Sequence, residues 1–155
     1  MSEIGIKDQC FGVEVEMTGI TREQAAKALA EYFGTTPRHV GGVYDTWAVT
    51  DNEGKEWKLM SDASIRTEMK TEDGYRATSN INYRVEMVTP KLTYAEMPKF
   101  QECVRCVRKA GAKANSSCGI HVHVGRIQSQ PPESQEFNGH HVLQRRYAVQ
   151  SAAGQ

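Results

Sequence analysis

No run of apolar residues in this chain approaches the roughly 20 needed to span a bilayer. The first ten residues, MSEIGIKDQC, have neither a basic start nor an apolar core, so they do not read as a secretory signal. A cytoplasmic location is the resulting expectation, and the four cysteines are then expected to be reduced thiols. Neither charge sign is in surplus, since Lys plus Arg and Asp plus Glu each number 19. That balance gives no general attraction to nucleic acid or acidic membranes, and neither is expected as a partner. Also missing are an internal repeat, a G-x-x-x-x-G-K-[ST] phosphate loop, and a second C-x-x-C to accompany Cys103 and Cys106. Any nucleotide would have to be held by metal and side chains. Cys103 and Cys106 fall within a helical stretch and read as helix-flank packing rather than a zinc site. Asn115-Ser116-Ser117 matches a glycosylation acceptor, which has no meaning without secretion.

With these classes removed, 155 residues with 39% hydrophobic and 25% charged content describe an ordinary domain able to bury a core. Cys10 to Met17 alternates Val13 and Val15 with Glu14 and Glu16, the period of a strand with one apolar and one acidic face. Thr21 to Gln24 is a capping box, and Ala25, Ala28, Leu29, Tyr32 and Phe33 follow at helical spacing up to Gly34. Val40 to Thr50 and Lys55 to Met60 read as a β-hairpin about a turn at residues 51–54, with Tyr44, Trp47 and Val49 facing Trp57 and Leu59. Residues 66–81 are polar, with a turn signal at Asp73-Gly74, and read as a mobile loop or frayed hairpin. Tyr83 to Val88 is a second alternating strand, stopped by Thr89-Pro90. A helix is expected from about Tyr94 to Ala110, with Met97, Phe100, Val104 and Val107 as its stripe. Gly119 to Val124 is a third alternating strand. The predicted class is α+β, a largely antiparallel sheet with helices on one face.

The chemistry lies in the phase of that alternation. If Val13/Val15, Val85/Met87 and Val122/Val124 face the helices, then Glu14, Glu16, Glu86, His121 and His123 share the opposite face. Carboxylates gathered closely raise one another's pKa unless a cation compensates. A carboxylate-rich set suits Mg²⁺ or Mn²⁺, and imidazoles add a softer ligand or a donor to an anion. Each motif has a bland alternative. A lone Glu-x-Glu is usually a solvated strand face, and a His-x-His is as often a packed or exposed pair. Their shared phase across three strands is what distinguishes them here.

The stretches 11–36, 44–65, YRVEMVTPKL (83–92) and NSSCGIHVHV (115–124) resemble the amidoligase family, carboxylate–amine ligases related to glutamine synthetase and γ-glutamylcysteine synthetase. Asp62-Ala63-Ser64 after a Trp-bearing strand belongs to the same resemblance. It implies part of a glutamine synthetase-like catalytic fold and an ATP- and Mg²⁺-dependent reaction. ATP phosphorylates a small-molecule or peptide carboxylate, and an amine then attacks the acyl phosphate. It also implies catalytic roles for Glu14, Glu16, Glu86, His121, His123 and Asp62, with Glu14, Glu16, Glu86 and His123 on metal.

The matching stretches cover most of residues 10–124, and residues 1–124 read as the N-terminal part of a ligase-like catalytic domain. The family pattern would continue with an Asp after Val124, whereas residues 125–155 are polar, without sustained periodicity. They read as a disordered tail or the product of a shifted reading frame, in which case His140 and His141 are accidents of frame. Such a chain would be truncated and lack later basic residues for nucleotide phosphates, which leaves its activity as encoded open. Two other readings stay open: a metal-dependent hydrolase using the same residues, and a non-catalytic remnant or binding domain. The ATP-gripping residues, the acid and amine, and the oligomeric state are not legible.

Overall fold

The computed structural model describes residues 5–126 and 142–143. Its frame is an antiparallel sheet built around the first strand. Strand β1 (Gln9–Met17) is followed by helix α1 (Arg22–Phe33), β2 (Arg38–Gly41), β3 (Thr46–Thr50) and β4 (Glu56–Met60). Strands β5 (Glu68–Thr71) and β6 (Gly74–Ala77) form a separate hairpin. Then come β7 (Val85–Val88), β8 (Leu92–Thr93), α2 (Met97–Lys109), β9 (Ile120–Arg126) and β10 (Val142–Leu143). The sheet runs β10-β9-β1-β7-β4-β3-β2, with β8 also on β1. Every strand pairing within it is antiparallel. The α+β class, a mostly antiparallel sheet with two helices, is therefore the observed one.

The alternation in β1 decides which side the helices cover. Val13, Val15, Met17, Leu59, Val85 and Met87 are buried in one cluster with Leu29 and Ala26 of α1 and Cys103 and Val107 of α2. Burying side chains of this size is worth about 1.5–3 kcal/mol each relative to exposure, which fixes the face of each strand. Helix α1 begins as the capping box requires: the Thr21 hydroxyl accepts from the Gln24 N–H at 3.2 Å, and the Gln24 amide oxygen accepts from the Thr21 N–H at 2.9 Å. It ends at Gly34, whose φ of 71° gives the left-handed turn that a glycine enters without penalty. Among the described residues no helix is long and apolar enough to cross a membrane.

Two local expectations are corrected and a third is resolved. Residues 40–50 are not one strand. Gly41 and Gly42 at φ 78° and 80°, with Asp45 at φ 43°, turn the chain so that β2 and β3 form a hairpin of their own. Tyr44 consequently lies exposed instead of packing beside Trp47. Of the two readings of residues 66–81 the hairpin is the observed one, over residues 68–77, closed at Asp73-Gly74 and tied to neighbouring segments. The Thr18 hydroxyl accepts from the Glu68 N–H at 2.9 Å, and the Tyr75 hydroxyl donates to the Gly111 carbonyl at 2.8 Å. The second helix starts at Met97, because Tyr94–Glu96 forms a 3-10 turn ahead of Pro98.

Cys103 is buried on α2, where burial pushes its thiol up to about 12. That is the behaviour of a packed, inert thiol. Of the predicted tail, Gly125 and Arg126 extend β9, and Val142 and Leu143 pair with Val122 and His123. The remainder of the tail, with His140 and His141, lies outside the described residues.

Candidate metal centre

The sheet register brings the sequence-predicted residues together in rows. Paired residues on antiparallel strands project to the same side. Glu16 stands opposite Glu86, and Glu86 opposite Met60 of β4. Glu14 stands opposite His121, and Gly12 opposite His123. All five predicted side chains therefore leave the sheet on the face away from the helices. Asp62 joins them from the turn just after β4.

Within this face two groups separate. Glu16, Asp62 and Glu86 each offer a carboxylate oxygen, and these oxygens lie within 4.8 Å of one another. Glu14 turns instead toward the imidazoles: its two oxygens lie 3.3 Å from His121 Nδ1 and 3.4 Å from His123 Nε2. The predicted ligand set of Glu14, Glu16, Glu86 and His123 is thus divided. Asp62 takes the third place in the carboxylate trio, and Glu14 and His123 lie in the neighbouring group.

Local structure holds each member of the trio. The Gly119 N–H donates to Glu16 Oε2 at 2.6 Å, just before β9 begins. Asp62 Oδ1 accepts from both the N–H and the hydroxyl of Ser64, at 2.8 and 2.6 Å, so the Asp-x-Ser spacing makes a tight turn. Glu86 shares a hydrogen bond with Asp62 and is otherwise fixed by its place in β7, paired on both sides.

The electrostatics follow from these surroundings. Burial pushes Glu86 up to about 8, and the negative charges of Glu14, Asp62 and Glu16 add to the rise. Glu16 is raised as well, chiefly by burial, although the Gly119 N–H opposes the shift. Burial acts on Asp62 in the same sense, but the Ser64 hydroxyl and N–H outweigh it and hold this carboxyl below its usual range. Near neutral pH the trio therefore keeps a proton on Glu86 in the absence of a cation. A hard divalent cation is the partner that such a set of three carboxylate oxygens fits, because it would replace that proton and remove the mutual repulsion.

Sequence reasoning missed two further features of this region. Lys58 of β4 lies in the same row as Val88, Glu14 and His121, exposed and with no acidic partner within ion-pair distance among the described residues. Its place before Leu59 in an alternating strand was a sufficient signal. Arg22, the first residue of α1, is buried at 3% exposure, and nothing in the local sequence announces it.

A family model described as "Putative amidoligase enzyme" matches residues 7–145, a span that runs past Val124 into the tail. No curated protein and no solved structure matches the chain. The matched span covers most of the sequence and all the residues gathered on the polar sheet face, and the chain belongs to the amidoligase family.

Proposed function

We propose that this domain is an ATP- and Mg²⁺-dependent carboxylate–amine ligase with a catalytic sheet of the glutamine synthetase kind. The observation that carries the reading is the meeting of Glu16, Asp62 and Glu86 within 4.8 Å, with Glu86 pushed up to about 8. Such repulsion is retained where a cation relieves it, and perturbed carboxylates of this kind cluster at functional sites.

Glu16, Asp62 and Glu86 would hold Mg²⁺ or Mn²⁺. When bound, the metal supplies charge neutralisation for the phosphoryl group in flight. The chain's own residues do the remainder. A carboxylate oxygen of the acid substrate attacks the terminal phosphorus of ATP, the bond to the ADP oxygen breaks, and ADP leaves. The amine nitrogen then attacks the acyl carbon, inorganic phosphate departs with the C–O electron pair, and the nitrogen loses a proton. Glu14 orients both imidazoles, as a carboxylate orients a histidine in other sites. His121 and His123 are then placed to donate to phosphoryl oxygens or to take the amine proton. Lys58, about 10 Å from Glu14 across two strand spacings, brings positive charge to the polyphosphate. The Val88 side chain floors the gap between them.

ADP release that requires Mg²⁺, a carboxylate and an amine is the expected result. Glu86→Gln and Asp62→Asn are each expected to abolish it, and unchanged turnover in both variants would overturn the metal assignment. Saturating Mg²⁺ and ATP should also raise the Tm, since ligand bound only by the folded state stabilises it. A Tm that does not move would favour a non-catalytic remnant.

One observation favours a second reading. Glu14, His121 and His123 make a carboxylate–imidazole group of the composition that binds catalytic zinc, which suits a metal-dependent hydrolase. Tight zinc without nucleotide affinity is the outcome that would select it.

A further inference from the structure

The carboxylate trio needs Asp62 to stay beside Glu86, yet Asp62 sits in a turn beyond the end of β4, where no strand pairing holds it. The polar contacts behind that turn lead to Arg22. Its Nε donates to the Asp45 carbonyl at 3.2 Å and its Nη2 to Asp45 Oδ2 at 2.8 Å. Its Nη1 donates to the carbonyls of Ile81 at 2.9 Å and Arg84 at 2.8 Å, and its Nη2 reaches Asn82 Oδ1 at 3.2 Å. One planar guanidinium thus clamps two turns from separate parts of the chain, a geometry that a lysine ammonium cannot reproduce.

Each clamped turn leads directly to a carboxylate. Arg84 precedes Glu86 by two residues at the entrance to β7. Tyr44, next to Asp45, accepts the Ser61 N–H at 2.9 Å, and Ser61 adjoins Asp62. Asp45 is the one non-glycine residue with positive φ among the described residues, at 43°. Its conformation is costly for an L residue and is held by Arg22 on one side and by His39 Nε2, 2.6 Å from its second oxygen, on the other.

We infer that Arg22 is a positioning residue of the metal centre: through Asp45, Tyr44 and Ser61 on one side and Arg84 on the other, it sets the approach of Asp62 to Glu86. Arg22 touches neither carboxylate. It acts from the helix side of the sheet on a site that lies on the opposite face. This inference rests on the metal reading above for its consequence, but the clamp itself does not.

The test is a Mn²⁺ titration of the full chain and three variants, each checked for folding by circular dichroism, with hydrogen exchange of the Ser61 amide measured in parallel. Arg22→Met keeps the bulk of the side chain and removes every donor. It is expected to weaken Mn²⁺ binding at least tenfold and to speed Ser61 exchange by a similar factor relative to the amides of β1. Asp45→Asn, at a half-buried position and nearly isosteric, is expected to weaken Mn²⁺ binding about threefold. Leu29→Ala lowers global stability without touching either turn, and should leave the Mn²⁺ affinity of the folded protein within twofold of the parent. Mn²⁺ affinities in Arg22→Met and Asp45→Asn equal to the parent's would overturn the inference, as would a loss in Leu29→Ala as large as theirs. If the parent itself binds no Mn²⁺, the metal reading falls alone. The clamp is then judged by Ser61 exchange, and unaltered exchange in Arg22→Met removes it too.

Discussion

The two faces of the central sheet are drawn from the same short stretches of chain, and single-residue alternation separates them. In β1, Val13 and Val15 go to the helices while Glu14 and Glu16 go to the other side. In β7, Val85 and Met87 join the buried core while Glu86 joins its acidic neighbours. The helix face is uniform, exchangeable in detail, and stabilising. The polar face is specific and costs stability, because Glu16 and Glu86 stand directly opposite one another and like charges across a ladder repel. A protein that pairs these acids at the centre of its sheet has tied stability to whatever neutralises them.

Adjacent residues of β7 offer the strongest way to break this contrast. Met87→Ala is expected to cost about 2–5 kcal/mol in denaturant unfolding, since Met87 is fully buried in the core cluster. The folded fraction should bind Mn²⁺ as before. Glu86→Gln should do the reverse. Metal-free stability stays level or rises, and Mn²⁺ affinity, read by titration calorimetry, falls at least tenfold. Equal stability losses in the two variants would erase the distinction between the faces.

A smaller effect sharpens the same contrast through pH. Glu86 binds its proton more tightly in the folded chain, at about 8 against an ordinary value of 4.5, so between those values the native state carries the extra proton. Stability linked to this group is complete below about 4.5 and is lost as pH rises through about 8. The Tm of the metal-free protein is expected to drop on the order of 10 °C across that window. The drop should shrink in Glu86→Gln, where the raised Glu16 still contributes in the same sense, and shrink when Mn²⁺ is present. Asp62 and Asp45, whose carboxyls are held low, act in the opposite sense and only in acid: their contribution is lost as pH falls through their folded values.

The smallest expected change lies on the helix side. Thr21→Ala removes the hydroxyl that caps α1 and should cost about 1 kcal/mol. It is measured by the same unfolding curves, with little change in metal affinity.

The periodic parts of this architecture were legible because alternation and capping are local. Val13 to Glu16 declares its two faces without any partner in view, and Thr21-Arg22-Glu23-Gln24 declares a helix start. The shared phase of Glu14, Glu16, Glu86, His121 and His123 followed from the same logic. What stayed hidden depended on partners distant in sequence. The division of the site into a carboxylate trio and a Glu14–imidazole group depends on side-chain rotamers and on the Asp62 turn, which no periodicity describes. The hairpin at residues 68–77 is polar, and its order comes from Thr18 and Gly111, far away along the chain. The break within residues 40–50 came from two glycines and a strained Asp45, where apolar residues at Val40, Val43 and Tyr44 suggested continuity but lie exposed.

Strand β1 pairs with residues near positions 85–93 on one side and 120–126 on the other. A growing chain therefore leaves one edge of β1 unpaired until residues 120–126 have been made. A nascent chain halted before Ile120 would be without both histidines and without half the hydrogen bonding of its central strand. The residues of the carboxylate trio are thus all made before either histidine, so the two groups of the polar face arise at different stages of chain growth.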